Sequence, residues 1–153
     1  MSSHMFDAIR NAAGTREALF IETLDSQRWT YGDMFDLSAR FAGTLRAMDV
    51  QPGDRLAVQV EKSPEARILY LACLRAGVVY LPLNPAYTPA ELDYFVDDSK
   101  PRLIIAAPNS AASVAAIAAK HGAQNAGRYR RRIADGARRA RPDGFRRCSA
   151  CRG

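Results

Sequence analysis

The sequence predicts an α/β fold: an incomplete, layered subdomain on a parallel sheet, followed by a disordered Arg-rich C-terminal tail. Three observations predict it. Short apolar runs alternate with helix-length segments between Ala18 and Lys120, an order that calls for parallel strands joined by crossover helices. Three of the helical segments begin after a Ser or Thr able to cap them: Thr30, Ser63 and Thr88. After Gln124 the chemistry changes. Residues 1–124 hold 12 Lys and Arg against 14 Asp and Glu, whereas residues 125–153 hold 10 Arg against two Asp. The predicted domains are therefore 1–124, folded and mildly acidic, and 125–153, the tail.

Phe6 and Ile9 predict a short opening helix, and Ala18-Leu19-Phe20-Ile21 a first strand. Thr30, with Asp33 three residues on, is a variant capping box. Met34, Leu37, Phe41, Leu45 and Met48 then recur at spacings of three and four, one apolar stripe over four turns. Pro52-Gly53-Asp54 is a turn, and Leu56-Ala57-Val58-Gln59-Val60 a strand apolar enough to be covered on both faces. Ser63-Pro64-Glu65 opens the next helix. Ser63 accepts from free amides, Pro64 gives up no needed donor, and Glu65 suits the positive helix end. Ile68, Leu69, Leu71, Ala72 and Leu74 supply its buried face, and Gly77 its left-handed stop. Val78-Val79-Tyr80-Leu81 is a strand closed by Pro82 and Pro85. Thr88-Pro89-Ala90-Glu91 is a full capping box opening a helix through about Val96. Arg102-Leu103-Ile104-Ile105-Ala106 is another strand, and the Ala-rich segment from Ser110 to Lys120 a helix. The order of strands within the sheet is left open by this pattern.

Composition excludes several classes. No run approaches the roughly 18 to 20 apolar residues of a membrane span, and no basic-then-apolar leader opens the chain. Three cysteines give no disulfide framework, and Cys73 falls in an apolar periodic segment as a small core residue. The expected compartment is cytoplasmic.

Several stretches carry a family resemblance. They are Trp29-Thr30-Tyr31-Gly32-Asp33, the run from Gly53 to Glu65, and the run from Leu71 through Leu81-Pro82-Leu83-Asn84. The last continues into Tyr87-Thr88-Pro89-Ala90-Glu91-Leu92-Asp93-Tyr94-Phe95. From Trp29 to about Ala123 the chain resembles the N-terminal part of the AMP-forming acyl-CoA synthetases, of the adenylate-forming superfamily. The Val60-Glu61-Lys62-Ser63-Pro64-Glu65 run and the Ala86-Tyr87-Thr88 to Phe95 run are most similar to the malonyl-CoA synthetase branch.

The resemblance implies a two-step ligase as the parent reaction. A carboxylate such as malonate attacks ATP to give an acyl adenylate, and the thiol of CoA displaces AMP, usually with Mg²⁺. That chemistry needs a Ser/Thr/Gly loop to cradle phosphates and a lysine near the family's C-terminal end. Neither is found here: Thr15, Thr23, Thr30, Thr44 and Thr88 stand apart, and the lysines are Lys62, Lys100 and Lys120. The expectation is a truncated, inactive ligase fragment. It retains no ATP, Mg or CoA and has no assigned catalytic, cofactor-binding or metal residue. A second chain supplying the missing parts, completing a split ligase, is the alternative.

The tail admits three readings. Arg, Ala, Gly, Pro, Ser and Cys are what GC-rich codons give out of frame, and this composition favours a frameshift product. Its large apolar residues, Tyr129, Ile133 and Phe145, are too few to offset an ordering entropy of roughly 1 to 2 kcal/mol per residue. As an RNA-binding segment, Arg128, Arg130, Arg131, Arg132, Arg138, Arg139, Arg141, Arg146 and Arg147 would contact phosphates without sequence preference, while Tyr129 and Phe145 stack on bases. Cys148-Ser149-Ala150-Cys151 has the spacing of half a zinc site or a redox pair, but zinc takes four ligands, His4 and His121 lie far from it, and two accidental cysteines are the better explanation.

Remaining candidates have bland readings that outweigh the functional ones. Glu61 and Lys62 lie where open α/β sheets place ligands, and read best as a solvated pair beside a capped helix. Trp29 and Tyr31 read as a packing corner, and Asp97-Asp98 as a helix end. Truncation is expected to leave an open strand edge. It should also uncover apolar faces at Val78 to Leu81 and Leu103 to Ile105, which would drive self-association.

Overall fold

Residues 4–125 of the chain are described by a computed structural model. The tail from residue 126 onward, with its frameshift, RNA-binding and zinc readings, lies outside the described residues. Helix α1 (His4–Ala12) leads into an antiparallel pair, β1 (Leu19–Glu22) and β2 (Arg28–Thr30), followed by α2 (Tyr31–Ala47). Then come β3 (Arg55–Gln59), α3 (Pro64–Ala76), β4 (Val79–Pro82), α4 (Pro89–Ser99) and β5 (Leu103–Ala106). A 3₁₀ turn at Pro108–Ser110, helix α5 (Ala111–Lys120) and β6 (Gln124–Asn125) complete them.

The capping signals work as their chemistry requires. Thr30 accepts from the Asp33 amide while the Asp33 carboxylate accepts from the Thr30 amide, a reciprocal box. Ser63 accepts from the Ala66 amide at 3.1 Å, and Thr88 and Glu91 form a second box. Gly77 ends α3 at φ +71°, and an added Cβ would sit 3.2 Å from the Pro52 side chain. Helix α4 runs past Val96 to Ser99, because Lys100 takes the left-handed conformation at φ 44° and closes it there.

Strands β3 to β6 form one parallel sheet in the order β4-β3-β5-β6. Helices α2 and α3 cover one face through Leu56, Val58 and Leu103; α4 and α5 cover the other through Ala57 and Ile104. This is the layered α/β arrangement that strand–helix alternation predicts. Two strands escaped that reading. β2 has three residues and β6 two, too short for a period-2 pattern to register. β6 also carries the sheet to Asn125, the first residue assigned above to the tail.

The expected uncovered faces need one correction. Leu103 and Ile104 have no exposed surface, because β5 lies between β3 and β6 with a helical layer on each side. Val78 is buried as well; the exposure concentrates at Val79, 49% accessible, on β4. That strand is one edge of the sheet among the described residues, and it is blunted. The Val79 and Leu83 amides donate toward β3, so alternation turns Tyr80 and Pro82 outward. Pro82 has no N–H, which leaves Tyr80 as the only outward donor of the strand.

Candidate functional site

A groove of about 820 Å³ opens at the carboxyl ends of β3 and β4, where open α/β sheets bind ligands. The loop from Val60 to Ser63 forms one wall. The α3 residues Ala66, Arg67 and Tyr70 form a second, and Tyr80, Pro82 and Leu83 the floor. Tyr70 and Tyr80 meet edge-to-face with ring centroids 5.4 Å apart. Burial raises the Tyr80 hydroxyl above its ordinary value, and the neighbouring Cys73 adds to this. Burial also pushes the Cys73 thiol up to about 12, so it stays protonated and serves as core, as its apolar surroundings predict.

Glu61 and Lys62 both line this groove and both are exposed, the solvated arrangement expected for them. Among the described residues, neither Lys62 nor Arg67 has a carboxylate within ion-pair distance, and Glu61 is the only acid in the lining. A magnesium ion wants several oxygen ligands, and Glu61 is the one carboxylate this lining offers. No group of three or more His, Cys, Asp or Glu among the described residues is arranged to hold a metal. Beneath the groove, the Gln59 amide donates to the Asn84 carbonyl at 3.2 Å, and its own oxygen is buried without a partner.

Trp29 is buried at the end of β2 immediately before α2, the packing corner expected of it, with its indole N–H unpaired. Tyr31 packs on Phe20, centroids 5.2 Å apart.

At the amino ends of the strands lies a constellation that sequence reading missed. The His121 ring nitrogens face Asp93 at 2.8 Å and Asp97 at 3.3 Å, and the Lys120 ammonium meets Asp93 at 2.6 Å. Asp93 and Asp97 are four apart on α4, hence on one helix face, and that spacing was the available signal. Lys120 and His121 hold the Asp93 carboxyl below the ordinary range by hydrogen bonding. A recess of about 400 Å³ beside it is bordered by Asp54, Arg55, Lys100 and Arg102. Arg102 is paired there with Asp49 at 2.8 Å. This cluster ties α4 to α5; it is a structural clamp.

Comparison with known proteins decides the lineage. The family model for AMP-binding enzymes matches residues 7–142. The chain belongs to the AMP-binding enzyme family. The match runs beyond Asn125 into the Arg-rich segment. The ATP-bound MatB structure from Rhodopseudomonas palustris superposes with a TM-score of 0.80 at 41% identity, covering 90% of this chain and 28% of that one. A feruloyl-CoA synthase from Amycolatopsis sp is 40% identical over 90 residues, 59% of this chain and 18% of its own length. Acyl-CoA ligase sidI of Aspergillus fumigatus is 36% identical over 81 residues, 53% of this chain and 14% of its own. The chain thus spans about a quarter or less of these relatives, and corresponds to the N-terminal portion of an adenylate-forming acyl-CoA synthetase. Among the described residues, no helix is long and apolar enough to cross a membrane.

Proposed function

We propose that this chain is part of a cytoplasmic, malonyl-CoA-synthetase-like ligase and that alone it does not adenylate a carboxylate. The observation that carries the branch is the likeness to the malonyl-CoA synthetase MatB, 41% identical at a TM-score of 0.80. A benzoate CoA ligase from Burkholderia xenovorans reaches 27% and 0.65. Support for inactivity comes from the residues: no Ser/Thr/Gly loop with a following lysine occurs among the 153. The parent reaction would use ATP, Mg²⁺ and CoA, bound by groups this sequence does not supply.

The test uses the full chain with ATP, Mg²⁺ and malonate. Pyrophosphate release is expected to equal that of a mock preparation, and malonate-dependent turnover above it would reject the reading. For the branch, residues 1–124 replace the corresponding part of MatB. A folded chimera that keeps malonate as its preferred acid supports the assignment, and a folded chimera that loses it counts against.

A second reading, an interaction module that completes a split ligase, is favoured by the groove beside α3. For the tail, we propose translation out of frame from codon 125. Translating the nucleotide sequence in three frames should then show a Ser/Thr/Gly loop and lysine downstream. A tail whose own frame continues the family pattern, as the match to residue 142 would allow, sinks that origin.

A further inference from the structure

We infer that the groove between α3 and β4 is a docking slot for an acid-flanked amphipathic helix, carried by part of an AMP-binding ligase outside these 153 residues. The inference rests on the family relationship and deepens the interaction-module reading.

Layer geometry supplies the first argument. On the face roofed by α2 and α3, Leu56 and Val58 of β3 are buried under helix, whereas of their register partners on β4 Tyr80 packs only half-buried against the margin of that core and Pro82 is exposed in the groove. A helix laid alongside α3 is what a parallel sheet uses to cover such a strand. Ser63, Ala66, Arg67 and Tyr70 present an i, i+3, i+4, i+7 ridge toward that space, the surface helices pack against.

Edge chemistry argues for a helix over a strand. Pro82 removes one outward donor of β4, so adding a strand there would gain few backbone hydrogen bonds. Side-chain burial is the stronger attraction: Tyr70 is 40% exposed, and Tyr80 and Val60 are half-buried beside it.

Charge selects the occupant. Lys62 and Arg67 stand on the rim without carboxylate partners among the described residues, against the single acid Glu61. Carboxylates flanking the apolar stripe of an incoming helix would meet both cations. Polypeptide to supply it exists in the relatives, since this chain covers 28% of MatB.

The experiment titrates the full chain with two fluorescein-labelled helical peptides sharing one Leu/Ala stripe, one flanked by Glu and the other by Lys. The Glu peptide is expected to bind about tenfold more tightly or better. The Arg-rich tail will also attract it, so the deciding readout is the change on Lys62→Glu with Arg67→Glu, which leaves the tail's share intact and should cut the Glu-over-Lys preference by about tenfold. Tyr70→Ser should weaken both peptides. Circular dichroism checks that each variant folds. Should the double variant not fold, photo-crosslinking from position 70 takes its place, and the Glu peptide must be captured there. A preference unchanged by charge reversal, crosslinks that map elsewhere, or a second copy filling the slot by sedimentation overturns the inference. Failure of the malonate or inactivity readings appears in pyrophosphate release and leaves these titrations unchanged.

Discussion

Lys100 occupies a backbone conformation that side chains disfavour, φ 44°, because α4 must turn sharply into β5. The left-handed region costs a non-glycine residue about 1 to 2 kcal/mol, and glycine gives back about half of that in unfolded-state freedom. Lys100→Gly is expected to stabilise the chain by about 0.5 to 1 kcal/mol, read from urea midpoints; an unchanged midpoint would refute the strain account. Asp93 works differently. Its folded pKa is lowered by Lys120 and His121, so its contribution is complete above the unfolded carboxyl value of about 4 and is lost as pH falls through the folded value. Asp93→Asn should therefore flatten the acid limb of melting temperature against pH. An acid limb identical to wild type would remove the α4–α5 clamp from the account. Of these features, the Asp93 and Asp97 spacing was legible on the helix, but their partner 28 residues beyond Asp93 was not.

Elements were legible where local chemistry is self-sufficient. The capping boxes at Thr30 and Thr88 and the Ser63-Pro64 start need only residues within one turn, and all three appear where sequence places them. The β1–β2 pair was half seen, since β2 is held by its partner's register and by burial of Trp29. Strand β4 shows how one residue shapes an element's partners. Pro82→Thr would add an outward N–H beside that of Tyr80 at an exposed edge. Sedimentation is expected to show more self-association in that variant than in wild type. Equal behaviour would mean that Pro82 does not guard the edge.

At the scale of the molecule, two apolar clusters share one short sheet, and β3 is the strand both depend on: Leu56 and Val58 face one layer, Ala57 the other. Leu56 is fully buried, and Leu56→Ala should cost about 2 to 5 kcal/mol. Against roughly 5 to 15 kcal/mol for a typical domain, that is a large share. The expected result is a melt lowered by many degrees or no longer cooperative. A shift of only a degree or two would show that this face is not the principal core. Helix α1 joins the same core through Phe6, which lies under the Arg75 guanidinium at 5.0 Å, while Arg75 also donates to the Phe35 carbonyl.

Layered α/β architecture, helix starts, the burial of Cys73 and the kinship with AMP-forming synthetases were all written in residue order. Periodicity, capping and short motifs act over a few neighbouring positions, and the chain states them directly. Strand order, the cover over Leu103 and Ile104, the His121 clamp and the slot between α3 and β4 came only with folding. Each depends on which segments, dozens of residues apart, end up side by side, and pairing across a sheet is a property of the assembled layers.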